Sequence, residues 1–295
     1  MRLSAPKLVS GVINRPTGVT GRLLGRLPGG PSLEHAVGGR TVLVTGASSG
    51  IGEAAARRLG EAGATVLLVA RSRDKLEELK AEIGDSAFVH RCDLSDMDAI
   101  DSLARRVLDQ HGHVDVLVNN AGKSIRRSIH LSYERFHDFE RTMQLNYLGP
   151  VRMTLALLPS MRERRSGQIV NVSTTGVYFR VPRFSAYIAS KAALEAFSDC
   201  IAAEVARDGI QITSIQMPLV RTPMIRPTRV YRTMPSLSPE EAASWVCHAI
   251  VHRPRRMGTH LGNLAAVADV VTPGPLGAMR SAGYRLFPDS RAARK

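Results

Sequence analysis

Cysteine is scarce: only three occur in 295 residues. Cys92, Cys200 and Cys247 lie far apart, with no Cys-x-x-Cys pair and no metal-ligand spacing. That excludes a disulfide framework and a zinc module, and predicts reduced, mostly buried thiols in a cytoplasmic protein. No apolar run approaches the roughly 18 residues of a membrane-spanning helix. The N-terminus is basic but has no unbroken apolar stretch, so it does not read as a secretory signal. Acidic residues are in deficit, 26 Asp+Glu against 40 Lys+Arg, for a net charge of +14. The deficit is local. Residues 1–40 hold six Lys/Arg and one acid, and residues 251–295 hold eight and two, while the middle of the chain is near balance. With no zinc-finger spacing and no basic zipper, this pattern argues against a nucleic-acid partner. It leaves open an anionic lipid surface touched from the basic ends, a polyanionic substrate, or solubility alone.

What is present is a chain with 44% hydrophobic residues and regularly spaced elements, enough for one large core in one domain. Residues 1–37 read as a basic arm rich in Gly and Pro, with at most short helical turns. The body runs over 38–255, and 256–295 form a basic, partly apolar extension. In it an apolar segment over 261–287 is broken by Pro273 and Pro275.

Order begins with Thr41-Val-Leu-Val-Thr45, a β-branched run suited to a buried parallel strand. It leads into Gly46-Ala-Ser48-Ser49-Gly50-Ile51-Gly52 and then a helix-forming stretch. A glycine-rich turn between strand and helix lets the backbone approach a pyrophosphate, and the first helical amides bind its charge. The second strand, 65–69, is followed by Ala70-Arg71-Ser72-Arg73 rather than by an acid. An acid there would accept bonds from the adenosine ribose and repel a 2'-phosphate, whereas Arg71 and Ser72 suit that phosphate. The expected cofactor is therefore NADP(H) rather than NAD(H).

Asp74 is expected to cap the next helix. A third strand, Ala87–Arg91, then leads to Cys92-Asp93-Leu94, where the Asp93 carboxylate is placed to meet the adenine amino group. Cys92 reads as a small buried residue. A helix over 96–111 and a strand over 114–118 end in Asn119-Asn120-Ala121-Gly122. Four strand-helix alternations before residue 122 predict an α/β fold, a Rossmann-type doubly wound parallel sheet.

Farther on, Tyr187-Ile-Ala-Ser-Lys191 places a phenol and an ammonium one helical turn apart. A cation held beside a phenol favours the phenolate, and such a pair can move a proton to or from a carbonyl oxygen. After a strand over 168–172 come Ser173 and Thr174, either of which can present a hydroxyl to a substrate oxygen. Thr174, thirteen residues before Tyr187, has the better spacing. Long helices are expected over 141–164 and 186–207, the second with a small-residue face at Ala189, Ala192, Ala193, Ala196 and Ala203. A sixth strand, 210–215, precedes a proline-rich segment, 223–239, that reads as a lid over the substrate.

The glycine turn, Asn119-Asn-Ala-Gly122 and Tyr187-x-x-x-Lys191, in this order and spacing, resemble the short-chain dehydrogenase/reductase family over residues 38–255. The resemblance implies an active site at the strands' carboxyl ends and a homodimer or homotetramer. It implies roles for Tyr187 as proton donor, Lys191 on the nicotinamide ribose, and Asn146 in a water-linked relay. It also implies carboxamide contacts near Val220 and Thr222. Further stretches, Ser124-Ile-Arg126-Arg127-Ser128, Arg183-Phe-Ser-Ala-Tyr187, Met217-Pro-Leu-Val-Arg-Thr-Pro-Met224 and His252-Arg-Pro-Arg-Arg256, are similar to bacterial aldehyde-forming fatty acyl-CoA reductases of wax-ester synthesis. That similarity runs over 38–289, with Thr174 standing where the group carries serine. It implies reduction of a long-chain acyl-CoA to an aldehyde, with Arg126, Arg127 and the basic C-terminal run near the CoA phosphates; the apolar segment over 261–287 is then read as roofing an acyl channel or lying on a membrane surface. Two other readings remain: a reductase or dehydrogenase of another ketone, aldehyde or secondary alcohol, and a cofactor-binding regulator.

Overall fold

The computed structural model describes residues 31–225, 231, 233–286, 289 and 293. Most of the arm expected over 1–37 lies outside the described residues. Its last part is a short helix, α1 (Leu33–Val37), capped by the Ser32 side chain on the His35 amide.

Seven parallel strands form one sheet in the order β3-β2-β1-β4-β5-β6-β7. They are β1 (Thr41–Thr45), β2 (Thr65–Ala70), β3 (Ala87–Arg91), β4 (Val116–Asn119), β5 (Gly167–Thr174), β6 (Ile210–Met217) and β7 (Arg256–Met257). The central strands are buried on both faces, which is why they read as continuous apolar runs rather than alternating ones. Val42 and Val44 face one helical layer, with α2 (Gly50–Glu61), α3 (Arg73–Ile83) and α9 (Pro239–His252). Leu43, between them, faces the other, with α4 (Met97–His111) and α6 (Gly149–Glu163). Each of these fully buried aliphatic side chains contributes about 1.5–3 kcal/mol of burial free energy. Strand order reverses between β1 and β4, and the crevice at their carboxyl ends is the topological switch point where such sheets bind ligands.

Several local readings are corrected. The N-cap of α3 is Ser72, with Asp74 in the first turn, where its charge still suits the helix dipole. The helix expected over 141–164 starts earlier, as α5 (Phe136–Met143), and passes through a π-helical turn, Gln144–Leu148, before α6. The helix expected over 186–207 is α8 (Ser185–Val205), separated from β5 by a single short turn, α7 (Gly176–Phe179). The apolar C-terminal segment folds as two helices, α10 (His260–Val271) and α11 (Pro273–Leu286). Only Pro273 marks the break. Pro275 sits in the first turn of α11, where no helical amide bond is lost. The proline-rich segment is held at both ends. Leu237 donates its amide to Leu219 at 2.8 Å, and Arg221 donates to the Leu237 carbonyl at 2.9 Å. Residues 226–230 and 232 of that segment lie outside the described residues.

Candidate active site

The turn after β1 is set by what surrounds it. Gly46 has φ +68°, and a Cβ there would lie 2.9 Å from the Ala121 Cα. A Cβ on Gly52 would lie 2.4 Å from the Gly46 carbonyl oxygen and 2.5 Å from Asn120 Nδ2. Only glycine allows this approach. Thr45 locks the turn to the next loop: its hydroxyl donates to the Val118 carbonyl at 3.1 Å and accepts the amides of Asn120 and Ala121 at 2.9 and 3.1 Å. Asn120 donates back to the Thr45 carbonyl at 2.9 Å. Asn119 points elsewhere, donating at 2.9 Å to the buried Asn171 under the sheet edge. The N-cap of α2, Ser49, makes no side-chain bond to the helix, so the first-turn amides meet the adjoining space without an internal acceptor.

That space is a cavity of about 890 Å³. Gly46, Ser48, Ser49, Gly50 and Ile51 line one side, and Asn120, Ala121 and Gly122 continue it. At one end stand Arg71, Ser72, Asp93 and Leu94; Val220 and Thr222 lie opposite. No acid follows β2. The Arg91 side chain instead donates to the Arg71 carbonyl at 3.3 Å, bringing a second guanidinium to the same corner. Asp93 Oδ1 accepts the amide and hydroxyl of Ser95 at 3.0 and 2.6 Å, and these bonds hold its pKa below the usual value.

The catalytic candidates sit across the same cavity. β5 ends on Thr174, and α8 carries Tyr187 and Lys191 one turn apart on its cavity side. The Thr174 hydroxyl accepts the Gly176 amide at 3.1 Å and shares a hydrogen bond with Tyr187. The Ser173 hydroxyl is committed away from the phenol, donating to the buried Glu195 on α8. Successive residues on a strand face opposite ways, so only one of the two hydroxyls meets Tyr187.

Lys191 is buried, and its Nζ donates to the Val172 carbonyl at 2.8 Å. Burial pulls its pKa down to about 8, against the opposing pull of Glu195. Burial also pushes Tyr187 up to about 12, with the Thr174 bond acting the other way. This corrects the expectation that Lys191 would lower the phenol: desolvation sets the direction, and the group acting against it is Thr174 rather than Lys191. A phenol so placed stays protonated at neutral pH and has a proton to give.

Asn146 is fully buried in the π-helical turn. Its Oδ1 accepts the Lys123 amide at 2.8 Å, and its Nδ2 donates to the Lys123 carbonyl at 2.8 Å and to Ser190 at 3.0 Å. A Cβ on Gly122 would lie 3.3 Å from Asn146 Oδ1 and 3.5 Å from Lys191 Nζ. The loop after β4, the π turn and α8 thus meet at one point.

Sequence reasoning missed other parts of the wall. Phe179, Phe184 and Tyr231 line the cavity; Leu261 of α10 and Met279 of α11 line it too, where the reading of 261–287 as a channel roof put that segment. Distant segments bring these together, and no local spacing predicts it. Arg126 also lines the cavity; burial and the nearby Arg183 lower its pKa. Arg127, expected beside it, is instead structural. It donates to Asp138 at 3.1 Å and to the Ala293 carbonyl. Two of the three free thiols, Cys92 and Cys247, are buried, in line with expectation, and burial raises both to about 11; Cys200 is exposed. Cys92 touches the cavity as a thiol, not a nucleophile.

A parallel sheet with a glycine turn at its switch point, and a tyrosine-lysine pair on the far wall, defines a nucleotide-dependent oxidoreductase of Rossmann type. The chain matches the short chain dehydrogenase family over residues 40–232, and it belongs to that family. It is 56% identical over 260 residues to a fatty acyl-CoA reductase of Acinetobacter baylyi, covering 87% of this chain and 88% of the relative. A second fatty acyl-CoA reductase, from Mycobacterium tuberculosis, is 46% identical over 239 residues, with 80% and 81% covered. Among solved structures, a short-chain dehydrogenase from Streptomyces avermitilis superposes with a TM-score of 0.71 at 33% identity, covering 84% of this chain and 97% of its own. A 3-ketoacyl-(acyl-carrier-protein) reductase from Brucella melitensis, complexed with NADH, gives 0.68 at 29% identity, with 74% and 92% covered. A metagenomic short-chain oxidoreductase in complex with NADP gives 0.64 at 31% identity, with 73% and 92% covered.

Proposed function

We propose that the protein is an NADPH-dependent reductase that converts a long-chain fatty acyl-CoA to its aldehyde. The observation that carries this reading is the convergence of Thr174, Tyr187 and Lys191 on a cavity of about 890 Å³ whose further wall is apolar and aromatic. The resemblance to two fatty acyl-CoA reductases supports the substrate class. The cofactor fits this chain. Glycines 46 and 52 let the turn pack tightly on Asn120 and Ala121 beside the cavity, the first amides of α2 suit a pyrophosphate, and Arg71, Ser72 and Arg91 suit a 2'-phosphate. When bound, the nicotinamide supplies a hydride for the carbonyl carbon.

The chain's own residues do the rest. Tyr187 gives its proton to the carbonyl oxygen as negative charge develops there, and Thr174 orients that oxygen. Lys191 holds the ribose, and Asn146 connects the lysine to a proton source. The resulting hemithioacetal loses its hydroxyl proton as the carbon-sulfur bond breaks, giving aldehyde and free CoA. No acyl-cysteine is needed, in keeping with the buried, raised thiols of Cys92 and Cys247. Arg126 offers its charge to the CoA end. The same reading has the enzyme work as a homodimer or homotetramer, supported by the exposed, seven-spaced Ala189, Ala196 and Ala203 along α8.

The test is steady-state turnover with NADPH across a panel: palmitoyl-CoA, and ketones and aldehydes of varied size. Preference for the thioester is the expected result. Turnover confined to ketones or aldehydes overturns the substrate and leaves another carbonyl reductase. No turnover of any of them, with NADPH still bound, points to a cofactor-binding regulator.

A further inference from the structure

The helix α10 is amphipathic in reverse. A surface helix of a folded domain turns its apolar stripe inward and its polar face to water. Here the buried side holds Gly262 and Asp269, while Leu264 is 66% exposed, Val267 61%, Val270 82% and Val271 71%. Successive positions advance by about 100° around a helix, so these four share one broad outward face. Met279 and Leu286 of α11 are exposed as well. A contiguous apolar face on a folded surface marks an interaction site.

Charge selects the partner. The sole acid on the two helices, Asp269, is buried and neutralised by Arg180 and by Arg280. The remaining charges are basic: Arg285 is exposed in the last turn of α11, and Arg253 is exposed at the C-cap of α9, before the chain enters β7 and α10. Two helices with an apolar outer face, an exposed arginine and, among their described residues, no exposed carboxylate fit the interface of an anionic bilayer. A second copy of the same face would bring those cations together with nothing opposite them. Among the described residues no helix is long and apolar enough to cross a membrane, so the fit is to the surface.

We propose that α10 and α11 form a peripheral membrane-docking surface for anionic lipid, with the exposed side chains of α10 inserted among the acyl chains. Leu261 and Met279, on these helices, also line the catalytic cavity. Docking therefore turns the cavity's C-terminal wall toward the bilayer, from which a long acyl chain can pass to Tyr187. That consequence rests on the acyl-CoA reading; the docking itself does not.

The experiment is flotation of the full chain with vesicles of phosphatidylcholine alone and with phosphatidylglycerol added. It is repeated for Leu264→Glu and for Leu264→Glu/Val271→Glu, with circular dichroism to confirm folding and light scattering to read mass. Both positions are exposed and lie outside the catalytic machinery. The full chain is expected to float with the anionic vesicles, and the double variant to bind at least about tenfold more weakly, as loss of two inserted side chains implies. Absence of flotation, or equal flotation of the folded double variant, overturns the proposal. So does a fall in mass of the variant with no vesicle binding by the parent, which would make the face an interface between copies. Flotation needs no turnover, so failure here is distinct from failure of the substrate assignment.

Discussion

The Lys191 ammonium donates to the Val172 carbonyl at 2.8 Å, two residues before the Thr174 hydroxyl that bonds Tyr187. One strand end thus positions both the cation and the phenol. The cation is held by backbone, and the phenol by a side chain.

Removing the proton donor is the first consequence. Tyr187→Phe is expected to lower kcat by about 10²–10⁴, the usual worth of a positioned acid. NADPH affinity, read by fluorescence titration, should stay near the parent value. A variant with parent-like kcat would remove Tyr187 from the reaction.

The two adjacent hydroxyls separate by where they point. Thr174→Ala should cut kcat by about tenfold or more, and Thr174→Ser should restore most of it, because the hydrogen bond rather than the methyl matters. Ser173→Ala should act mainly on stability. It strips a bond from the buried Glu195, whose pKa burial already raises, at a cost of about 1–3 kcal/mol by denaturant melt. The reverse pattern would exchange the two roles.

Lys191 gives the reaction a pH dependence of definite sign. Its pKa is drawn down to about 8 by burial, so the cation we assign to the ribose is present below that value and lost above it. kcat/KM for NADPH, which reports the free enzyme, should be flat below about pH 8 and fall about tenfold per unit above it. Tyr187, pushed up to about 12, adds no limb in this range. A profile flat to pH 10 would contradict the assignment.

Cofactor choice rests on one corner. Arg71→Asp replaces the cation after β2 with a carboxylate that repels a 2'-phosphate and accepts ribose hydroxyls. The ratio of kcat/KM for NADPH over NADH should fall by about 100-fold or more. An unchanged ratio would move phosphate recognition elsewhere, with Arg91 the next residue to replace.

What the sequence made legible was local. The runs at β1, β2 and β3, the glycine turn, and Tyr187 with Lys191 all depend on neighbours within a few residues, and their elements stand where spacing put them. The choice between Ser173 and Thr174 needed the strand's actual end: β5 continues to Thr174, which fixes the face each hydroxyl takes. The sense of the Tyr187 shift was misread because desolvation belongs to the assembled cavity and not to the helix that carries the pair. The two-residue β7, the bond from Arg127 to the Ala293 carbonyl and the seating of Asp289 on Ser128 join segments far apart in the chain. Composition and spacing carry no trace of them. The reversed polarity of α10 was hidden for a related reason: its apolar content was plain, but which side faced water was not.

The most direct measurement is the stoichiometry of free CoA thiol to NADPH oxidised when purified protein meets palmitoyl-CoA, with the aldehyde quantified in the same sample. One thiol and one aldehyde are expected for each NADPH consumed, with the rates of all three cut by about 10²–10⁴ in Tyr187→Phe. NADPH oxidation without thiol release, or thiol release without aldehyde, would contradict the thioester assignment.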